Sequence, residues 1–225
     1  MRHTELEIQE LKTQVKQMWN LVVAQLSKTK KALLENDTAL ALEVISQEKR
    51  VNAYELKIES DCENYIALYS PVAVDLRLAL TLIKISNTLE RIGDFAEGIA
   101  RHTISQECNV IDTKIMEDLG VEKMMDTVLE MLLDGYIAFE TENTKLTEKI
   151  LSLDIQVDEL YKNGFFILTE YLNTQEKNAM CALKLIILLR KIERIGDHCN
   201  NIIEDIVFYV DAEVLKHHKK ITINQ

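Results

Sequence analysis

The hydrophobic pattern of the chain is helical along most of its length. Apolar residues recur three and four positions apart, which is the spacing of one face of an α-helix. The first such stripe is Ile8, Leu11, Val15, Met18, Val22 and Leu26. The pattern lapses at short polar stretches, one of which contains the only Pro. It predicts six helices, at about residues 5–35, 38–69, 71–105, 112–141, 145–172 and 175–210.

Part of the third predicted helix is repeated in the sixth. The segment Glu-Arg-Ile-Gly-Asp begins at Glu90 and again at Glu193, an offset of 103 residues. Adding this offset to each apolar position of the third helix gives an apolar residue or a cysteine in the sixth. The repeat therefore predicts an all-α fold of two tandem, homologous three-helix bundles. We expect the bundles to span residues 1–106 and 109–210, followed by a C-terminal tail at 211–225.

The amino-acid composition and the net charge exclude several classes of protein. One Pro and six Gly are typical of a nearly all-helical chain. The formal net charge of −11 argues against a nucleic-acid partner, whose phosphates require basic residues. Neither a signal peptide nor an apolar run of about 18 residues is found, so we expect a cytoplasmic protein without direct membrane insertion. The four cysteines lack CxxC spacing and are expected to be reduced.

Each copy of the repeat stacks two carboxylates on one helix face. Residues four apart are neighbours there, and a like-charged pair costs about 0.2–0.5 kcal/mol. Its repetition indicates a use, and stacked carboxylates are ligands that hard metal ions prefer. The preceding helix of each unit supplies a second pair at the same spacing. The candidate metal ligands are Glu48, Asn52, Glu90 and Asp94 in the first unit and Asp154, Asp158, Glu193 and Asp197 in the second.

Oxygen ligands suggest iron, manganese or magnesium and also allow zinc. The competing interpretation is a solvated acidic face balanced by Arg91, Lys191 and Arg194. Gly93 and Gly196 precede the aspartate of each copy, although glycine costs a helix interior up to about 1 kcal/mol. We expect these glycines to allow a close helix approach beside the candidate ligands.

No motif of a known enzyme class is found in the sequence. Walker A, GxGxxG, HExxH and nucleophile-elbow patterns are absent, as are the Glu-x-x-His pairs of di-iron proteins. His198 suggests two hypotheses, a metal ligand or an acceptor of a phosphoryl group. It points about 100° away from Asp197 on the helix, so a neutral, hydrogen-bonded histidine is preferred. No catalytic residue is assigned.

Three segments carry a family resemblance: residues 71–77, 89–94 and 192–198. Together they resemble the PhoU family of phosphate-signalling regulators, and the similarity spans essentially the whole chain. The resemblance implies two three-helix bundles, a homodimer and, as in some members, iron or zinc bound at the candidate positions. It also implies an adaptor between the ATPase of a phosphate ABC transporter and a sensor histidine kinase, which represses the starvation response when phosphate is plentiful.

The first unit departs from the family motif at one of its candidate ligands, and at Gly98, where the family often has Asn. Asn52 stands where the motif has a carboxylate, so the second set of ligands is predicted to be the more complete site. The leading hypothesis is a non-enzymatic regulator of phosphate uptake and phosphate-starvation signalling. The alternatives are a metal-dependent carboxylate enzyme and a helical scaffold that binds no metal.

Overall fold

The computed structural model of the 225-residue chain describes residues 3–105, 113–174 and 179–215. Helices account for nearly all of these residues, as the hydrophobic pattern predicts. Their bounds are α1 His3–Glu35, α2 Thr38–Tyr69, α3 Val74–Ile104, α4 Thr113–Asp118, α5 Val121–Thr141, α6 Thr147–Thr174 and α7 Ala179–Asp211. A single 3-10 turn, Thr144–Leu146, precedes α6.

Short polar side chains cap the second helix of each repeat. The Asp37 carboxylate accepts a hydrogen bond from the main-chain N of Leu40 at 3.0 Å, at the start of α2. The side-chain oxygen of Asn143 accepts one from the main-chain N of Lys145 at 2.9 Å, before α6. Each bond satisfies a main-chain donor that has no partner within the helix. The two repeats therefore begin their second helix in a similar way.

Two helix boundaries differ from the prediction. α3 begins at Val74 rather than Pro71, because Ala73 has a φ of 49°, outside the helical region. The predicted fourth helix is divided into α4 and α5 at Gly120, which has a φ of +65°. Glycine adopts this conformation without steric cost, and the Gly120 N–H donates to the carbonyl of Glu117 at 2.9 Å. This glycine ends α4 inside a stretch whose apolar spacing reads as one helix.

The two predicted three-helix bundles are present. α1, α2 and α3 pack together, as do α5, α6 and α7. The bundles join where α3 packs on α7 and α1 packs on α5. Lys84 pairs with Asp205 at 2.9 Å and Lys191 donates to the main-chain O of Gly98 at 2.9 Å, so α3 and α7 run antiparallel. One continuous apolar core extends through both bundles.

Trp19 lies in the contact between α1 and α5. Its side chain is fully buried, and its ring stacks on Phe139 with 5.8 Å between centroids. The indole N–H donates to the main-chain O of Leu132 at 3.0 Å, which satisfies the one polar atom of the ring. Trp19 is therefore part of the apolar core where the two bundles meet.

Parts of the predicted domain organisation fall outside the described residues. These are the break between the units at 106–109, the start of the sixth helix at 175 and the tail beyond 215. α7 ends at Asp211, one residue past the predicted end of the second unit. Among the described helices, none is both long and apolar enough to cross a membrane.

The cysteines only partly follow the prediction. Cys62 and Cys199 are free and buried. Cys181 is disulfide-bonded, so the expectation of four reduced thiols is wrong for that residue. Cys108 lies outside the described residues.

Candidate metal centre

Three carboxylates of the first bundle converge between α2 and α3. Glu48 lies on α2, and Glu90 and Asp94 lie one turn apart on α3. One oxygen from each residue lies within 4.8 Å of the others. We call these three residues the first cluster. Glu48 is buried, Glu90 is half-buried and Asp94 is exposed, so the cluster opens to solvent on its Asp94 side.

The position of Glu48 makes its ionised form costly. Burial raises the pKa of Glu48 to about 7, and the nearby Asp94 and Glu90 add to the effect. A hydrogen bond from Nε2 of Gln25 to Oε2 of Glu48, at 2.8 Å, acts in the opposite direction. Burial followed by Asp94 also raises the pKa of Glu90, against the smaller effect of Arg91. A cation would relieve this repulsion, so the residues of the first cluster fit an oxygen-ligated metal ion.

Asn52 contacts the same carboxylate from the next turn of α2. With its amide nitrogen facing Glu48, Asn52 donates to Oε1 of Glu48 at 2.7 Å. Gln25 bonds the other carboxylate oxygen, so two neutral amides hold Glu48. In this orientation Asn52 holds the Glu48 carboxylate in place and adds no negative charge. The departure from the family motif therefore has a structural role here.

Gly93 and Gly196 lie at close helix contacts, as predicted. A Cβ on Gly93 would lie 3.1 Å from Oε2 of Glu48 and 3.2 Å from Oε1 of Gln25. A Cβ on Gly196 would lie 3.0 Å from Oδ1 of Asp154. Each glycine thus makes room for a carboxylate of the preceding helix. This accounts for a residue that otherwise weakens a helix.

The second bundle carries four carboxylates at the corresponding positions. We call them the second cluster: Asp154 and Asp158 on α6, and Glu193 and Asp197 on α7. Burial raises the pKa of Glu193 to about 7 and that of Asp154 to about 6. Oε2 of Glu193 is buried without a hydrogen-bond partner among the described residues, whereas the Asn200 side chain bonds the Asp154 carboxylate and opposes the rise of its pKa. The unsatisfied buried oxygen of Glu193 also fits a cation.

The second cluster differs from the first in its spacing and in its counterions. Across the described ranges, only the first cluster brings three ligand atoms within 4.8 Å of one another. Basic side chains engage the second cluster through three ion pairs, Arg190–Glu193 at 2.6 Å, Lys162–Asp158 at 3.2 Å and Arg194–Asp197 at 3.3 Å. In the described part of the chain, no ion pair involves the first cluster. The geometry therefore favours the first cluster, against the prediction that the second would be the more complete site.

His198 lies in the contact between α3 and α7. It stacks on Phe95, its counterpart in the first repeat, with 5.6 Å between ring centroids. Burial lowers the pKa of His198 to about 4, with smaller effects from Arg194 and Arg91. Its Nδ1 lies 3.5 Å from Nδ2 of Asn201. The imidazole is therefore neutral at pH 7, as predicted, and it belongs to no converging ligand group among the described residues.

Sequence reasoning missed Gln25, which reaches the first cluster from α1. It lies three residues after Val22 on the core side of α1 and is fully buried. A polar residue within an apolar stripe is the signal that points to it, because buried amides need partners. The counterions Lys162 and Arg190 were also missed. They lie within one turn of the carboxylates that they pair with, a spacing too common at helix surfaces to single them out.

Fold and site together define a class: all-helical proteins made of two homologous bundles, each with carboxylates between its second and third helices. A family model described as the PhoU domain matches residues 15–103 and 121–206. The chain belongs to the PhoU family, which confirms the resemblance seen in the sequence.

Named relatives and a solved structure agree with this assignment. The chain is 35% identical over 211 residues to the phosphate-specific transport system accessory protein PhoU homolog of Aquifex aeolicus, covering 94% of each chain. It is 32% identical to the phosphate-specific transport system accessory protein PhoU of Escherichia coli, covering 94% of this chain and 86% of that protein. The crystal structure of PhoU from Pseudomonas aeruginosa matches with a TM-score of 0.83 at 28% identity, covering 93% of this chain and 99% of that one.

Proposed function

We propose that this chain is a non-enzymatic regulator of phosphate uptake and of phosphate-starvation signalling. It acts in the cytoplasm, as a homodimer, as an adaptor between the ATPase of a phosphate ABC transporter and a sensor histidine kinase. The observation that carries the proposal is the family match in both repeats, together with relatives named as accessory proteins of phosphate-specific transport systems. An accessory protein acts through contacts with the other components of its system, as an adaptor does.

Deletion of the gene tests the regulatory role. Phosphate-starvation genes are expected to stay expressed in phosphate-rich medium, and the full chain supplied in trans is expected to restore repression. The ATPase and the kinase are expected to co-purify with the tagged full chain from the same cells. Unchanged expression after deletion would contradict a regulatory role, whereas restored repression without either partner would contradict the adaptor mechanism.

We further propose that the first cluster holds a divalent or trivalent cation, with Asn52 positioning Glu48. The second cluster is the equivalent position of the other repeat and is the weaker of the two. Iron, manganese, magnesium and zinc are the candidate metals, because each accepts carboxylate oxygens. The cation would hold α2 against α3 and neutralise a buried acidic group. Support comes from the convergence of the ligands and from the raised pKa of Glu48.

A metal-dependent carboxylate enzyme is the second candidate. The observation in its favour is that burial raises the pKa of Glu48 and of Glu193 to about 7, which suits proton transfer near neutral pH. Metal-loaded protein would then turn over a substrate, with activity lost in Glu193→Ala while the fold persists. The regulator proposal expects no turnover by the same preparation.

A further inference from the structure

A shallow surface cavity of about 360 Å³, open to solvent, lies between α3 and α7, next to the first cluster. It is lined by Arg91, Asp94, Phe95, Glu97 and Lys191. Asp94 belongs to both the cavity and the first cluster, so an ion bound by the cluster lies beside the cavity. The lining combines two basic side chains, two acidic ones and an aromatic ring.

Arg91 differs from its counterpart in the second repeat. Arg194 pairs with Asp197 at 3.3 Å, whereas Arg91 forms no ion pair or side-chain hydrogen bond within the described ranges. A guanidinium carries five N–H donors in a planar fork that matches carboxylate and phosphate oxygens. Arg91 lines the cavity and interacts electrostatically with Glu90 and Glu55, but none of its donors is used in a side-chain hydrogen bond within the described ranges.

Lys191 enters the cavity from the opposite helix. It is half-buried, and its Nζ donates to the main-chain O of Gly98 at 2.9 Å. A Cβ at Gly98 would collide with this ammonium group, so the glycine leaves room for it. An ammonium group has three donors, of which this bond uses one. Lys191 and Arg91 thus both have donors left for an anion.

The acidic lining of the cavity is only partly neutralised. Two bonds from Arg101, at 2.6 and 3.1 Å, engage the Glu97 carboxylate. Asp94 has no such partner in the described structure, and its charge opposes an anion. A divalent cation in the first cluster would offset two of its three carboxylate charges, and a trivalent cation would offset all three. Arg91 and Lys191 would then meet less opposing charge from Asp94, so the cavity would hold an anion more strongly than it does in the cation-free protein.

We propose that this cavity binds inorganic phosphate, held by Arg91 and Lys191, when the first cluster contains a cation. This inference rests on the proposed cation site and adds a ligand to it. Arg91 and Lys191 supply directed, charge-assisted donors to the phosphate oxygens. The bound cation offsets the charge of Asp94, which otherwise opposes the anion. Phosphate binding would thereby depend on the state of the first cluster.

Equilibrium dialysis of the full chain against radiolabelled phosphate tests the proposal. Protein loaded with Mn²⁺ is expected to bind phosphate, and the same protein kept in chelator is not. Arg91→Gln should weaken binding about tenfold or more, because it removes a charged donor pair. Arg194→Gln is the matched control, since it changes the equivalent arginine of the other repeat, and should bind normally. Phosphoserine is a second ligand and is expected to bind more weakly than phosphate.

Elemental analysis of the same samples separates the two proposals. Mn²⁺ retained without phosphate binding would overturn the phosphate site alone. No retained Mn²⁺ and no phosphate binding would overturn both. Equal phosphate binding in chelator, or an equal loss in Arg194→Gln, would also contradict the assignment. Tighter binding of phosphoserine would replace inorganic phosphate by a phosphorylated side chain as the ligand.

Discussion

In the first repeat, three carboxylates face one another and two neutral amides hold the most buried of them. In the second repeat, four carboxylates occupy the equivalent positions, and three of them pair with an arginine or a lysine. Ion pairs with basic side chains offset the charge repulsion in the second cluster, and the first cluster has no such pair among the described residues. We therefore expect cation binding to depend less on the number of carboxylates than on their convergence and their existing partners.

The largest expected difference concerns stability against pH when chelator is present. The pKa of Glu48 and of Glu193 rises from 4.5 to about 7 on folding, and that of Asp154 from 3.8 to about 6. The folded state therefore binds more protons than the unfolded state within these windows. The free energy of unfolding should fall as pH rises, by up to about 1.4 kcal/mol per pH unit for each group.

The experiment measures the free energy of unfolding in urea between pH 5 and pH 8. Variants of each cluster show how much that cluster contributes to the pH dependence. Glu48→Gln removes the one strongly shifted group of the first cluster. The double variant Glu193→Gln/Asp154→Asn removes two such groups from the second cluster. Its free energy of unfolding should therefore depend less on pH than that of Glu48→Gln. A slope that is unchanged in both variants would show that neither cluster contains a protonated carboxyl group in the folded protein.

Cation binding should stabilise the protein through the first cluster. At about one hundred times its Kd, a ligand that binds only the folded state adds about 2.7 kcal/mol. We expect Mn²⁺ to have this effect on the wild-type chain and on Asp197→Asn, but not on Glu90→Gln. The free energy of unfolding is measured with Mn²⁺ and with chelator. Stabilisation that survives in Glu90→Gln and disappears in Asp197→Asn would show that the cation binds the second cluster rather than the first.

A methyl group at the two repeated glycines should have unequal effects. At Gly93 the added Cβ meets Glu48, Gln25 and Val51, all at 3.1–3.2 Å, whereas at Gly196 only the Asp154 carboxylate is closer than 3.8 Å. Overpacking costs about 1–3 kcal/mol and the gain in helix propensity is about 1 kcal/mol. Gly93→Ala should therefore lower stability by about 1 kcal/mol.

Gly196→Ala is the matched variant and should be close to neutral, because one carboxylate end can move aside. Thermal or urea unfolding of both proteins in chelator gives the comparison. Equal losses at the two sites would mean that the first repeat is no more tightly packed around its glycine than the second.

The smallest expected effect comes from the counterions. Arg190 pairs with Glu193 at 2.6 Å, yet about half of its side chain is exposed to solvent. Such pairs contribute at most about 1 kcal/mol, so Arg190→Gln should strengthen Mn²⁺ binding at the second cluster by about fivefold or less. The titration uses the Asp94→Asn background to remove the first site. Arg190→Lys keeps the positive charge and should leave the Mn²⁺ affinity unchanged. An equal gain in affinity in both variants would show that the charge of Arg190 does not compete with the cation.

The fold could be predicted from the sequence because its signals are local. Apolar spacing fixed the helix faces, and Asp37 and Asn143 marked two helix starts. Gly120 was missed, since nothing in the apolar spacing distinguishes a glycine that ends a helix from one that is tolerated within it. The repeat predicted two bundles, but not the antiparallel contact in which Phe95 and His198 stack.

The sequence was enough to predict the candidate ligands, but not which of them pair with basic side chains. Helical spacing identified the carboxylates and the two glycines beside them. Gln25 comes from a helix that is distant in sequence, so only packing brings it to Glu48. Which carboxylates meet a basic side chain depends on rotamers and helix rotation, and helical spacing determines neither.

The most direct test of the account is the metal content of the purified full chain and of two matched variants. The protein is prepared without chelator or affinity metal, and elemental analysis compares wild type, Asp94→Asn and Asp197→Asn. We expect a single cation per chain in wild type and in Asp197→Asn, and background metal in Asp94→Asn. Background metal in wild type, or metal retained in Asp94→Asn and lost in Asp197→Asn, would contradict the assignment of the cation to the first cluster.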